Sequence, residues 1–156
     1  MLAARAATLG SVLDLYAGSG ALGIEALSRG AEHADFVEQN ARQCHAIREN
    51  LGLAELSGLA RVYCGRVQTI LTKLEGPYDV VFLDPPYGDA LLPGLMEKLG
   101  VSPILTEQSI VVVERSTRQV LGKTYGRISL VRELRHGDTT VSVYTSDAKQ
   151  ASKEAS

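Results

Sequence analysis

Cysteine is scarce in this chain: Cys44 and Cys64 are the only two, they do not form a CxxC pair, and the three histidines are scattered. Neither a disulfide framework nor a zinc site is indicated, so a reducing cytoplasm is the expected setting, with both thiols packed as small apolar groups. Long apolar runs are missing as well. Nothing approaches the roughly 18 residues a membrane span needs, and the opening stretch MLAARAATLGS lacks the apolar core of a secretory signal. An excess of one charge is also absent: a net charge of −2 excludes a protein that coats nucleic acid through a uniformly basic surface. There is no internal repeat and no interior linker, and 156 residues of which 45% are hydrophobic suit one domain.

What is present is alternation. Apolar runs over Val12–Tyr16, Ala34–Glu38, Ala60–Cys64, Tyr78–Asp84 and Ser109–Glu114 are separated by helix-like stretches over Ala21–Arg29, Asn40–Leu51, Val67–Leu74 and Ala90–Leu99. Strands alternating with helices predict βαβ units and a parallel sheet, hence an α/β fold. After Lys123 the period drops to two: GRISLVREL and TTVSVYTS flank RHGD, whose Gly137 and Asp138 suit a tight turn. An antiparallel hairpin is therefore expected to close the sheet, with a single domain over 1–146 and a small, polar, aperiodic tail over 147–156 expected to be disordered.

The first strand runs into AGSGALG, where Gly18, Gly20 and Gly23 satisfy G-x-G-x-x-G at the opening of a helix. Such a turn lets a ligand approach bare backbone at a helix N-terminus. Glu38 ends the next strand, 20 residues after Gly18, where a carboxylate accepts hydrogen bonds from ribose hydroxyls. These features alone fit an NAD-dependent oxidoreductase as well as an enzyme with another nucleoside cofactor. Asp14, four residues before Gly18, separates the two. A carboxylate repels a pyrophosphate but attracts the amino group and sulfonium of S-adenosylmethionine.

The fourth strand ends in LDPPYG. Pro85 and Pro86 both lack a backbone donor and fix φ, so a rigid corner follows Asp84 and holds the Tyr87 ring beyond it. The C-terminal edge of an open parallel sheet is where ligands bind in α/β folds. An acid, a framed carbonyl and an exposed aromatic at that edge suit an exocyclic amine on a base that has been unstacked from its neighbours.

With LDLYAGSGALGIEAL, FVEQN and DPPY taken together, the sequence resembles the class I S-adenosylmethionine-dependent methyltransferases that modify exocyclic amines. Within them it is similar to the bacterial 16S rRNA guanine-N2 methyltransferases over nearly its whole length. The resemblance implies a Rossmann-like sheet of seven strands, mostly parallel with an antiparallel C-terminal hairpin. It implies S-adenosylmethionine as cofactor and 16S rRNA or the small ribosomal subunit as partner, with no metal, in a cytoplasmic monomer. It further implies that Asp14, Ala17, Gly18, Ser19 and Gly20 hold the methionine end of the cofactor, that Glu38 holds the ribose, and that Gly65, Arg66 and Val67 flank the adenine. Asp84, Pro85, Pro86 and Tyr87 become the catalytic corner. Related proteins carry a basic segment with a pattern like RPT..VREALFN before the first strand, and Met1-Leu2 looks like its end. DPPY is shared with adenine-N6 and cytosine-N4 enzymes on DNA or RNA, and a cofactor-binding domain without catalysis is a further reading.

Between Arg115 and Arg135 lie six Lys or Arg against one acid, Glu133. This run is either an ordinary solvated face or a set of phosphate contacts on the side of Tyr87. Tyr16 either lines the cofactor pocket or packs in the core.

Overall fold

A computed structural model of the chain describes residues 9–146. The tail expected over 147–156 and the Met1-Leu2 segment lie outside the described residues. β1 (Ser11–Leu15) leads into α1 (Ala21–Ser28), and β2 (His33–Glu38) into α2 (Ala41–Leu53). β3 (Ala60–Cys64) leads into a short α3 (Val67–Ile70) that tightens to a 3-10 turn over Leu71–Lys73, and β4 (Tyr78–Leu83) into α4 (Leu92–Gly100). β5 (Leu105–Ser116), β6 (Thr124–Tyr125), β7 (Ile128–His136) and β8 (Thr139–Ser146) complete one sheet in the order β3-β2-β1-β4-β5-β8-β7-β6. Pairing is parallel from β3 to β5 and antiparallel beyond it.

Among the described residues the sheet has eight strands, not the seven expected. The additional one, β6, is two residues long and turns back on β7 through Gly126, at φ 56. Two residues are too few to display an alternating pattern, so sequence periodicity passes over them. The predicted hairpin itself is present as β7 and β8, with Gly137 at φ 58 in its turn.

Successive side chains of a strand point to opposite faces, and both faces of the parallel part are covered. Leu13, Leu15, Val81 and Leu83 pack with Val67 of α3 and with Leu95 and Leu99 of α4. Val12, Val80, Phe82 and Phe36 pack with Ala26 and Leu27 of α1 and with Ile47 and Leu51 of α2. Double burial explains why these strands read as continuous apolar runs. It also makes an acid inside one of them conspicuous.

Of the three glycines in the fingerprint, Gly23 is fixed by packing. It sits inside α1, and a Cβ there would overlap the Phe36 ring of β2. Gly23→Ala is therefore expected to push α1 off the sheet and cost about 1–3 kcal/mol, the usual range for overpacking a core. A lower midpoint in urea at unchanged slope would show it; an unchanged midpoint would mean the interface adjusts freely.

Strand order reverses between β1 and β4, since the chain winds outward from β1 through β2 and β3 on one side and from β4 to β5 on the other. Leu15 lies opposite both Val37 and Leu83, so the residues that follow these three strands open onto a common crevice. Among the described residues no helix is long and apolar enough to cross a membrane.

Candidate active site

The turn after β1 is left-handed at three places: Tyr16 at φ 60, Gly18 at φ 58 and Gly20 at φ 83. Gly20 occupies the N-cap of α1 and offers no side chain to the helix's free N–H groups. Asp14 supplies the missing acceptor from the neighbouring strand. Its Oδ2 accepts a hydrogen bond from the Gly23 N–H at 3.1 Å. The Asp14 side chain is buried, at 1% exposure. Burial pushes its carboxyl up to about 7, the Gly23 N–H opposes that, and the negative charges of Asp84 and Glu38 add to it.

Glu38 ties the turn to the next unit. One carboxylate oxygen accepts from the Gly18 N–H at 2.9 Å and the other from the Asn40 N–H at 2.7 Å. Asn40 in turn caps α2, its Oδ1 accepting from the N–H groups of Arg42 and Gln43 at 2.9 and 3.1 Å. Below, the Cys44 thiol donates to the Glu38 carbonyl at 3.2 Å, and the Gly65 N–H donates to the same carbonyl at 2.9 Å. Glu38 is thus held at both its carboxylate and its backbone.

These residues border a cleft of about 660 Å³, within the size range of small-molecule sites. It is lined from the β1, β2 and β3 strand ends by Tyr16, Glu38, Gln39, Arg66, Val67 and Gln68, and from the chain after β4 by Asp84, Pro85, Pro86, Asp89 and Leu91. Of the residues expected from sequence, Glu38, Arg66, Val67, Asp84, Pro85 and Pro86 line it directly. Asp14 lies beneath the turn rather than on the cleft wall. Ala17, Gly18, Ser19 and Gly20 form the backbone of the turn: Ala17 N–H donates to Val37 O, Gly20 N–H donates to Ala17 O, and Ser19 O accepts from Asn50 Nδ2.

Gln39, Gln68, Asp89 and Leu91 were not singled out from the sequence. Gln39 directly follows Glu38 at a strand end, and Asp89 precedes a helix and accepts the Leu91 N–H at 3.0 Å, so position gave a signal for both. Tyr16 belongs to the cleft. Its hydroxyl donates to Asp89 Oδ2 at 3.4 Å across the mouth, and burial followed by the Asp89 charge pushes it up to about 12, so it stays a donor at neutral pH. Three carboxylates, Glu38, Asp84 and Asp89, face one guanidinium, Arg66. That field suits a cationic ligand better than a polyphosphate.

The corner after β4 sits at the cleft's far side. Pro85 is buried, whereas Asp84, Pro86 and Tyr87 are exposed. Desolvation, then the charge of Glu114, raises the Asp84 carboxyl above its usual range. Tyr87 is 67% exposed, and its hydroxyl donates to the Asp138 carbonyl in the β7–β8 turn at 2.6 Å. A recess of about 40 Å³ adjoins the cleft here, bordered by the corner, Glu114 to Ser116, Gln119 and Thr139.

The basic run divides along the strands that carry it. Arg115 is internal: its guanidinium donates to Ser142 Oγ and to the Ser116 and Gln119 carbonyls, and pairs with Glu133 at 3.5 Å. Lys123 and Arg127 lie at the opposite end of the sheet, where Arg127 donates to Ser102 O at 2.7 Å. Arg118 and Arg135 lie at the Tyr87 end, beside the 137–138 turn. Among the described residues no group of three or more His, Cys, Asp or Glu is placed to hold a metal ion.

The chain is similar to several known proteins. A family model described as "Conserved hypothetical protein 95" matches residues 1–145. The Bacillus subtilis protein named "Putative rRNA methyltransferase YlbH" is 37% identical over 138 residues, 86% of this chain and 75% of that protein. The Escherichia coli protein named "Ribosomal RNA small subunit methyltransferase D" is 32% identical over 137 residues, 88% of this chain and 69% of its own length. The chain belongs to this family. A solved structure of a conserved hypothetical protein from Streptococcus pyogenes superposes on this chain with a TM-score of 0.83 at 34% identity, covering 88% of this chain and 86% of that one. The sheet is the one class I methyltransferases share, parallel with a reversed terminal hairpin.

Proposed function

We propose that the chain transfers a methyl group from S-adenosylmethionine to the exocyclic N2 amine of a guanine in 16S rRNA. The reading rests on one arrangement: Glu38, which holds the glycine turn, and the Asp84-Pro85 corner line a single acidic cleft at the β1–β4 reversal. The rRNA substrate follows the names of the relatives.

The donor set fits the cofactor. Backbone of the 17–20 turn and the buried charge of Asp14 suit the methionine end, Glu38 the ribose hydroxyls, and Arg66 and Val67 the adenine. When bound, S-adenosylmethionine supplies a methyl group on a positively charged sulfur. The protein's own task lies with the amine, a poor nucleophile because its lone pair is delocalised into the purine. Asp84 and the Pro85 carbonyl accept hydrogen bonds from its two N–H groups and turn the nitrogen toward tetrahedral geometry, freeing the lone pair for attack, and the proton that the methylated nitrogen sheds afterwards passes to water. The two prolines fix the carbonyl that does so. Tyr87 stacks on the extruded base, an interaction worth about 1–3 kcal/mol. Arg118 and Arg135 contact phosphates near it and set register without reading sequence.

The test is tritiated methyl incorporation into small ribosomal subunits or 16S rRNA that lack the modification, followed by nucleoside analysis. N2-methylguanosine is the expected product. S-adenosylmethionine binding without incorporation into any RNA would mark a binding domain without catalysis, and methylated adenine or cytosine would reassign the base.

A further inference from the structure

A carboxylate beside the catalytic corner has no part in the scheme above. β4 and β5 are parallel, with Leu83 opposite Val113, and one step further places Asp84 opposite Glu114. Alternation sends both to the same face of the sheet as Phe82 and Val112. Both border the small recess behind the corner, together with Pro85, Pro86 and Tyr87. The neighbouring cation, Arg115, also borders the recess, but its guanidinium is engaged by Glu133, by Ser142 Oγ and by the Ser116 and Gln119 carbonyls. The proximity is electrostatically adverse, since Glu114 helps raise the Asp84 carboxyl. Two like charges at one strand edge are relieved by a partner rich in donors.

We propose that Glu114 reads the Watson–Crick edge of the target base, accepting the guanine N1–H while Asp84 and the Pro85 carbonyl hold the N2 amine. This deepens the function proposed above and rests on it. Guanine offers three hydrogens on two adjacent nitrogens along that edge. Adenine and cytosine place a lone pair where guanine has N1–H, so a carboxylate there faces an acceptor and is left unpaired. A site built around a hydrogen bond rejects an analogue that cannot make it far more strongly than an apolar pocket rejects a change of size. The recess has room for on the order of one amine-sized group, which suits an edge entering while the ring stacks outside on Tyr87.

The experiment uses 16S rRNA in which the guanine that the wild-type protein methylates, once mapped, is replaced by 2-aminopurine through splinted ligation. 2-Aminopurine keeps the N2 amine but carries a lone pair at N1. The wild-type protein is expected to prefer guanine by roughly 10- to 100-fold in kcat/KM, the loss of one hydrogen bond to a charged group. Glu114→Gln, whose amide can donate to the N1 lone pair of 2-aminopurine, is expected to shift the guanine to 2-aminopurine ratio at least about tenfold toward 2-aminopurine, with S-adenosylmethionine affinity unchanged. Equal use of both bases by the wild-type protein overturns the proposal without any variant. An unchanged ratio in a folded Glu114→Gln protein also overturns it, while leaving the methyltransferase reading intact. Absence of methylation by the wild-type protein on unmodified rRNA removes that reading and this one together.

Discussion

Asp84→Asn is expected to lower kcat for methyl transfer by about 10²–10³, the range found when one preorganised hydrogen-bonding group is lost from a site that stabilises developing charge. The amide keeps the size of the side chain, and its oxygen still accepts one amine hydrogen. It loses the negative charge that stabilises the nitrogen as it becomes positive. Because Asp84 takes no part in the hydrogen bonds that hold the glycine turn, S-adenosylmethionine affinity by calorimetry is expected to stay within a few-fold of wild type. Stability is not expected to fall, since the side chain is exposed and its carboxyl is raised by desolvation and by Glu114. A variant that binds cofactor normally and turns over at the wild-type rate would remove Asp84 from the chemistry. One that fails to bind cofactor would place it on the other side of the reaction.

The parallel half of the fold was legible because burial on both faces forces long apolar runs, and each run ends where a turn residue or an acid interrupts it. β3 matches its sequence range, and β1 and β4 each end one residue earlier than expected. β5 was read too short. It begins at Leu105, four residues before Ser109, and its early part includes Glu107 and Gln108, both exposed. With two exposed polar residues between buried Leu105 and Ser109, the start of the strand carries no apolar run to betray it. α4 begins at Leu92, not Ala90, because the Asp89 side chain accepts the Leu91 N–H and shapes the entry just ahead of Pro93.

The site was legible where chemistry requires a rare local pattern and opaque where it requires only proximity. Three glycines and DPPY announce themselves. Gln68 reaches the cleft, and Glu114 the recess beside it, through the pairing of strands far apart in the chain, which no local spacing encodes. Arg115 shows the converse: counted among basic residues it suggests a phosphate contact, yet its place on β5 turns it inward to Glu133.

Asp14 carries the other large expected effect, because its place in the fold opposes its charge. In the unfolded chain its carboxyl titrates near 3.8, the ordinary value for an aspartate, and in the folded protein burial pushes it up to about 7. The folded state therefore holds the proton longer, so this residue's contribution to stability is fully present below about pH 4 and is lost as pH rises to 7. A shift of three units corresponds to about 4 kcal/mol. Asp14→Asn removes that penalty and retains an acceptor for the Gly23 N–H, though its buried amide hydrogens cost on the order of 1–3 kcal/mol if unpaired. The cofactor-free variant is thus expected to be about 1–3 kcal/mol more stable than wild type at pH 8 and to show no gain at pH 4, by urea unfolding at both values. Binding should respond in the opposite sense. A cationic ligand favours the ionised carboxylate, so wild-type affinity for S-adenosylmethionine is expected to rise through pH 7 with release of a proton, measurable as a dependence of binding heat on buffer. In Asp14→Asn the pH dependence should flatten and affinity at pH 8 should drop roughly tenfold, about 1.4 kcal/mol. If the variant were instead less stable at pH 8 and bound the cofactor as tightly as wild type, Asp14 would be a helix cap and nothing more. A gain in stability paired with a loss in binding is the outcome expected of a charge kept buried for its ligand.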